Sequence, residues 1–146
     1  MLVEIKWAVV SAAIALCTGC ATGYHDASNP LLGYTGGYWD HKGPGELIKV
    51  GFAGNGFIKQ RKVGTYLLYR CAEVAKREGK EYFAFYANLP AAVSDSRSTE
   101  KAVTTVTGKP SSYAYILFFD APGESLLSAS ELLARLGPEV KGEGKS

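Results

Sequence analysis

The segment from Lys62 to Glu78 restricts the fold of this chain more than any other. Its apolar residues recur every three or four positions, as one face of an α-helix requires; they are Val63, Leu67, Cys71, Val74 and Ala75. Gly79 follows, and glycine is the usual residue where a helix ends in a left-handed conformation. Such a helix is stable when its apolar face is buried, so we expect it to pack against a sheet.

A hairpin is predicted before this helix. Residues 38–39 and 46–52 flank the turn-rich segment 40–45, which is the pattern of two strands joined by a loop. In the second strand Ile48, Val50 and Phe52 alternate with other residues and should face the core.

Three more strands are predicted after the helix. Residues 82–87 form an aromatic strand, and a polar loop follows at 88–97. Residues 99–107 and 112–119 predict a second hairpin, with its turn at 108–111. The strand 112–119 is apolar on both faces, which is typical of a central strand.

A short helix from Ser128 to Leu136 ends the predicted domain, with Ser128 or Ser130 as its N-cap and Gly137-Pro138 as its stop. Together the segments predict an α+β fold. We expect a single-layer, mainly antiparallel sheet of about four to five strands, packed against one main helix and a short C-terminal helix.

Composition excludes some classes of protein. The chain has 146 residues and a formal net charge of +2, and a nucleic-acid partner would normally require a concentrated basic surface. The only dense basic run, residues 59–62, is read as a solvated turn. Three cysteines are an odd number, which argues against a disulfide framework. Cys71 belongs to the apolar stripe of the main helix and is expected to be a small buried residue.

The N-terminus has the features of an export signal. Lys6 precedes an apolar run at residues 7–16, and small residues follow it. This run is too short to cross a bilayer, which takes about 20 residues. The sequence Leu16-Cys17-Thr18-Gly19-Cys20-Ala21 then resembles the processing site of bacterial lipoproteins.

The lipoprotein resemblance implies cleavage between Gly19 and Cys20 and acyl chains on Cys20. It departs from the family where Cys17 stands at the position usual for Leu. Ala21 implies sorting to the outer membrane rather than retention at the inner membrane, on the periplasmic face. Two or more acyl chains anchor a protein stably without a transmembrane span.

Another interpretation of Cys17-Thr18-Gly19-Cys20 is a redox pair. A thioredoxin-like C-x-x-C motif should lie between a strand and a helix. These cysteines instead follow an apolar leader, so the lipoprotein interpretation is preferred. A further alternative is a soluble cytoplasmic chain in which the apolar N-terminus is an ordinary core element.

The predicted organisation has four parts. Residues 1–19 are the signal peptide, 20–37 the lipidated cysteine with a flexible tether, 38–138 the domain and 139–146 a disordered tail. The tether is rich in Gly, Tyr, Asn, Ser and Pro. Two interpretations of its tyrosines have equal weight. In one they rest in the headgroup region of the membrane, and in the other the tail packs loosely on its own domain.

The domain also resembles the CC0125/CC1285 family of small proteobacterial lipoproteins. The residues that carry this resemblance are Gly37-Tyr38, residues 50–55, residues 66–73, Tyr82-Phe83 and residues 130–138. Cys71 is a departure, since family members more often have alanine there. The family implies a secreted lipoprotein with an α+β domain and brings no catalytic residues or cofactor.

Candidate sites for chemistry are few. His25-Asp26 and Asp40-His41 could in principle bind a divalent metal through N and O ligands, which leaves an envelope enzyme or metal-binding protein as the alternative function. No nucleophile elbow, phosphate loop or zinc-protease motif occurs in the sequence. We therefore predict no catalytic residues, no metal site and no cofactor.

Aromatic residues are the most informative surplus, with nine Tyr, six Phe and two Trp. A candidate binding surface for an envelope protein or a glycan is formed by Tyr82, Tyr86, Tyr113 and Tyr115 on one sheet face. The preferred interpretation of these four is that a helix covers them. The sequence thus predicts a lipid-anchored, non-enzymatic binding or structural domain without a nucleic-acid partner.

Overall fold

A computed structural model describes residues 23–27, 36–55, 57–99, 104–106 and 109–142. The strands are β1 (Gly37–Lys42), β2 (Ile48–Ala53), β3 (Tyr82–Tyr86), β4 (Thr104–Val106), β5 (Lys109–Phe119) and β6 (Leu127–Ser128). The helices are α1 (Gln60–Arg77), α2 (Leu89–Val93) and α3 (Ala129–Gly142). The predicted signal peptide, Cys17, the cleavage site at Gly19 and Cys20 and the end of the predicted tail lie outside these ranges.

The strands form one antiparallel sheet in the spatial order β1-β2-β5-β3-β6, and β4 pairs with β5 at one end. The predicted α+β class, with its open antiparallel sheet, main helix and C-terminal helix, is therefore confirmed. The sheet reaches six strands because it includes two short ones, β4 with three residues and β6 with two. Strand β5 is central, as its apolar sequence predicted.

Helix α1 forms where the apolar spacing predicts it. All five residues of the predicted stripe are buried, and α1 packs on β2, β5 and α3. Gly79 adopts a φ of +70°. The N–H of Lys80 donates to the carbonyl of Ala75, and that of Gly79 donates to Lys76. This is a Schellman motif, which satisfies the last carbonyls of the helix.

The first hairpin is confirmed with a shorter turn. Val50 and Phe52 are fully buried and Ile48 is partly buried against them, so the predicted core face is correct. The prediction that Asp40 and His41 belong to the turn is wrong, because both lie in β1 and pair with Val50 and Lys49. The turn consists of residues 43–47, where the N–H of Gly43 bonds to the carbonyl of Leu47.

Three further boundaries differ from the sequence prediction. Strand β5 begins at Lys109. Residues 109–111, which were predicted to lie in the turn, therefore belong to the strand. The predicted polar loop after β3 contains helix α2, capped by the Asn88 side chain, which accepts from the N–H of Ala91 at 2.9 Å. An asparagine N-cap followed by proline in the first turn is a strong local helix signal.

Helix α3 continues beyond its predicted stop. Ser128 is its cap, since its hydroxyl accepts from the N–H of Glu131 at 3.3 Å, but Pro138 lies inside the helix. An internal proline costs about 3 kcal/mol. Burial of Val140 in the main core and of Gly137 beside Tyr69 offsets part of that cost. The helix therefore ends at Gly142, and residues 139–142 of the predicted disordered tail belong to it.

The sheet has two unequal sides. The long helices α1 and α3 cover one face and form the main core with Phe83, Phe85 and Ile116. The other face is covered in part, by a small cluster around Ala84, Tyr86 and Tyr115, against which residues of α2 pack. The β1–β2 end of this second face carries the candidate site.

Candidate functional site

The candidate site lies on the sheet face opposite the long helices, where side chains of β1, β2 and β5 meet. Successive residues of a strand point to opposite faces. Trp39 and His41 therefore share this face, whereas Tyr38 and Asp40 lie on the helix side. Five residues, here called the aromatic face, make up the site: Trp39, His41, Lys49, Gly51 and Tyr113.

Gly51 makes room for an indole ring at the centre of the aromatic face. It pairs with Trp39 on β1 and with Tyr113 on β5. A Cβ at Gly51 would lie 2.1 Å from Cζ2 of Trp39, so the indole occupies the space that a side chain at this position would take. Such an approach is open only to glycine, which has no side chain.

Lys49 lies among three rings of this face. Its Nζ is 4.5 Å from the ring centroid of Tyr113, 5.7 Å from that of Tyr115 and 5.8 Å from that of Trp39. These distances are those of cation–π contacts. Among the residues that the structure describes, no carboxylate pairs with the Lys49 ammonium. The face therefore presents aromatic rings around a cation that has no carboxylate partner among the described residues.

His41 extends the surface along β1. Its ring stacks on that of Trp39, with centroids 5.1 Å apart and planes 12° from parallel. On the other side of Lys49, Tyr113 and Tyr115 meet edge to face at 6.1 Å. Tyr113 is 42% exposed, whereas Tyr115 is 7% exposed. A ligand would therefore contact Tyr113 and the ring stack directly, with Tyr115 behind them.

The four tyrosines of the predicted binding surface are on one sheet face. Tyr86 pairs with Tyr115, and Tyr82 pairs with Phe119, which places all four on the same side. The long helices cover the opposite face, but α2 and Leu126 pack beside Tyr86 and Tyr115. Tyr86 is 2% exposed. Of the four, Tyr113 is thus the one that offers an exposed ring beside Lys49.

A polar network holds Tyr86 at the far end of this face. Its hydroxyl donates to Oδ1 of Asp95 at 2.5 Å, and Nε of Arg97 donates to the same oxygen at 2.9 Å. Burial, together with the bond to Asp95, raises the pKa of the Tyr86 hydroxyl. Asp95 adopts a φ of +51°, an uncommon conformation for a residue other than glycine. The hydrogen bonds from Tyr86 and Arg97 hold Asp95 in this conformation.

Asp40 has a structural role on the helix side of β1. Its Oδ1 accepts from Nη2 of Arg70 at 2.7 Å and its Oδ2 from Nη2 of Arg77 at 2.8 Å. Burial alone would raise the pKa of Asp40, but the hydrogen bonds and charges of Arg77 and Arg70 outweigh it and lower that pKa. The Arg70 guanidinium also lies 4.1 Å from the Tyr38 ring centroid. Its Nη1 also lies 3.8 Å from Oε2 of Glu73, three residues further along α1.

Residues 23–27 of the predicted tether dock on the edge of the sheet; we call them the docked segment. The N–H of Ala27 donates to the carbonyl of Tyr38 at 2.9 Å, and the N–H of Tyr38 donates to that of His25 at 2.7 Å. These bonds form a parallel bridge at the free edge of β1. An unpaired strand edge is a site for unwanted pairing, and the docked segment covers part of it.

Tyr24 anchors the docked segment. Its ring lies 4.7–6.5 Å from the rings of Tyr38, Phe52, Tyr66 and Tyr69, and its hydroxyl donates to the carboxylate of Glu73. Burial raises the pKa of Tyr24, and the bond to Glu73 raises it further. For this part of the tether, the alternative in which the tail packs on its own domain is the one observed.

The metal alternative lacks a donor set in this geometry. Asp40 and His41 point to opposite faces of β1, and both oxygens of Asp40 are bound by arginines. In the described ranges no group of three or more His, Cys, Asp or Glu side chains is placed to hold a metal ion. His25 and Asp26 lie in the docked segment, beside β1.

Cys71 lies in the core, on the buried side of α1. Its side chain is fully buried, and burial raises the pKa of its thiol well above the usual range. A thiol that remains protonated and out of contact with solvent is a poor nucleophile. The expectation of a small buried residue is therefore confirmed.

Comparison with known proteins gives no assignment: neither a family model, nor a curated protein, nor a solved structure matches the chain. No helix among the described residues is long and apolar enough to span a membrane. The resemblance to the CC0125/CC1285 family thus stays a prediction.

Sequence reasoning identified the exposed residues His41 and Tyr113 but missed the centre of the site. Trp39, Lys49 and Gly51 were not among the candidates. Strand alternation along 38–42 does place Trp39 and His41 on one face of β1, and alternation along 48–52 places Lys49 and Gly51 on one face of β2. Which residues of β1 and β2 face one another depends on the turn length. The predicted turn began three residues too early, at Asp40 instead of Gly43, so the pairing of β1 with β2 could not be read from the sequence.

Proposed function

We propose that this chain is a lipid-anchored cell-envelope lipoprotein of the CC0125/CC1285 type, whose small domain acts as a binding module. Acyl chains on Cys20 would hold it on the periplasmic face of the outer membrane. The aromatic face would be its contact surface. Two features support the proposal: the export signal with its lipoprotein-like processing site, and the exposed ring stack around Lys49.

The docked segment supports a position close to the lipid. Tyr24 is four positions after Cys20, and an extended chain spans at most about 3.5 Å per residue, so the two Cα atoms are within about 14 Å of each other. Tyr24 is fixed against α1 and β1. A lipidated Cys20 would therefore keep the domain against the membrane surface rather than on a long tether.

The observation that carries the binding role is Lys49 with its three rings. Exposed aromatic side chains beside a cation are a recurrent feature of surfaces that bind other molecules. The opposite face of the sheet is covered by α1 and α3. Here Tyr113 and His41 are exposed.

Anchoring is tested by fractionation of the native host, followed by intact mass measurement. We expect a membrane-bound protein that has lost residues 1–19 and gained mass equal to two or three acyl chains. The Cys20→Ala variant should lose that added mass. The matched control is Cys17→Ser, which changes a neighbouring cysteine and should be processed normally.

An unmodified full-length chain in the soluble fraction would contradict the lipoprotein proposal. The Cys17/Cys20 pair would then have to be tested as a redox pair. Acylation that persists in Cys20→Ala but is lost in Cys17→Ser would move the anchor to Cys17.

A further inference from the structure

We propose that the aromatic face binds an anionic saccharide, a sugar that carries a carboxylate or phosphate group, with the charge against Lys49 and the ring against Tyr113 and Trp39. This rests on the binding role proposed above and specifies the ligand class. Two observations lead to it: the aromatic rings around Lys49, one of them the exposed ring of Tyr113, and the lack, among the described residues, of a carboxylate paired with the Lys49 ammonium.

The shape of the face suits a flat, partly apolar ligand. Trp39 lies across Gly51, and Gly51 also pairs with Tyr113, so the two rings lie on neighbouring strands with the Lys49 ammonium near both of them. Two strand spacings separate β1 from β5, about 9–10 Å. Aromatic faces carry negative charge density and attract the positive C–H edges that a sugar ring presents. A surface of this length can hold two linked sugar rings.

The charge of the face favours an anion. Lys49 has rings on three sides and keeps ammonium donors for a ligand. The His41 ring stacks on Trp39, next to Lys49. Asp40 adds no negative charge to this face, because its carboxylate lies on the other side of β1 and is bound by two arginines. A carboxylate or phosphate would supply the ion pair that Lys49 lacks among the described residues.

A cationic ligand fits less well. Three rings around an ammonium group resemble the aromatic cages that recognise methylated amines, but Lys49 itself fills the space between them. A second cation would meet its charge. The ring contacts hold the Lys49 ammonium on this face, so the complementary ligand is an anion.

The test uses the full chain in detergent, with Trp7→Phe so that Trp39 is the only tryptophan. Trp39 fluorescence is titrated with a galacturonic acid trimer, its neutral methyl ester and a glucosamine phosphate. Hexaglutamate serves as a charged ligand without sugar rings. We expect both acidic sugars to shift the Trp39 emission, and the methyl ester to bind about tenfold more weakly than the trimer.

Variants separate charge from stacking. Lys49→Met keeps the apolar stem and should reduce binding of the acidic trimer about tenfold while leaving the methyl ester unchanged. Tyr113→Ala should weaken both ligands, and because Tyr113 is exposed it should not unfold the domain. Lys42→Met is the matched control, an exposed lysine on the opposite side of β1. Far-UV circular dichroism of each variant checks the fold.

Two results would overturn the inference. One is the absence of any Tyr113-dependent shift with both acidic sugars. The other is hexaglutamate binding that depends on Lys49 while the sugars do not bind, which would make the ligand an acidic protein segment and leave the binding role itself standing. Neither result bears on anchoring, which the mass measurement decides separately.

Discussion

The indole of Trp39 lies on Gly51, the residue directly opposite it in the β1–β2 pair, so that a Cβ there would fall 2.1 Å from Cζ2 of the ring. The contact places the indole ring over the backbone of β2. It also makes the position of Trp39 depend on the absence of one side chain. Any residue larger than glycine at this position must move the indole.

Gly51→Ala should therefore displace Trp39 and cost about 1–3 kcal/mol of unfolding free energy, as overpacking does. In the Trp7→Phe background we expect a changed Trp39 emission maximum and a lower midpoint of urea unfolding. Gly142→Ala is the control, because a Cβ there would meet nothing within 4 Å. A Gly51→Ala protein with wild-type emission and stability would contradict the described ring position.

Tyr24 is predicted to stabilise the domain although it precedes the first strand. Tyr24→Ala removes a ring that packs on four others and should cost about 2–3 kcal/mol, less than a fully buried aromatic residue. Tyr24→Phe keeps the ring and loses only the bond to Glu73, for a cost of about 1 kcal/mol. Chemical denaturation measures both. Equal stability of wild type and Tyr24→Ala would show that the segment does not dock.

Asp40→Asn should destabilise the domain through Arg70 rather than through the loss of attraction alone. The Arg70 side chain is 14% exposed and that of Asp40 is 11% exposed, so the change leaves a largely buried guanidinium without its anion. We expect a loss of about 2–3 kcal/mol. Arg77→Ala removes the half-exposed second partner and should cost less than about 1 kcal/mol. Similar losses for both variants would argue against this assignment.

Glu81 is predicted to contribute to acid sensitivity. Its carboxylate accepts from Lys76, from the N–H and hydroxyl of Ser130 and from the hydroxyl of Ser128. These bonds, the one from Lys76 foremost, lower the pKa of Glu81 to about 2. Because the folded pKa lies below the unfolded one, the stabilisation is present above about pH 4.5 and is lost as the pH falls toward about 2.

Thermal unfolding at several pH values checks this. Glu81→Gln should unfold at lower temperature than wild type at pH 6 and show a shallower decline between about pH 5 and pH 2. Glu46→Gln removes an exposed carboxylate of the β1–β2 turn and serves as the control. The assignment fails when the Glu81→Gln melting curves run parallel to those of wild type over that whole interval.

Cys71 should be unreactive in the folded protein. Full burial raises the pKa of its thiol, so both access and thiolate are lacking. In a Cys17→Ser, Cys20→Ser background, a colorimetric thiol reagent should label Cys71 only after denaturant is added. Rapid labelling of the native protein would mean that α1 opens, or that the thiol is exposed.

The sequence predicted the elements whose signal is their own burial. Val63, Leu67 and Val74 repeat with helical spacing because the sheet covers one side of α1, and that requirement is visible in any single sequence. Pro138 shows the limit. Its local effect ends most helices, but burial of Val140 extends α3 past it, and such long-range packing leaves no mark at the proline itself.

The site was less predictable because it depends on pairing between distant residues. The tyrosines of β3 and β5 share a face because of the register between these two strands, which residues 87–108 separate in the sequence. Trp39 and Lys49 come together only once the β1–β2 register is known. For the tether tyrosines, Tyr24 among them, the sequence left two locations open. The partner of the Tyr24 hydroxyl, Glu73, is forty-nine residues further along the chain.

Strand order also determines when the domain can fold. Strand β5 lies between β2 and β3 in the sheet, yet it follows both in the sequence, so neither inner pairing exists before the residues up to Phe119 are available. A chain that emerges N-terminus first has a hairpin and an unsupported α1 until then. Contacts between distant segments of this kind form slowly. Closure of the sheet, and with it the burial of the apolar face of α1, therefore has to wait until β5 is available.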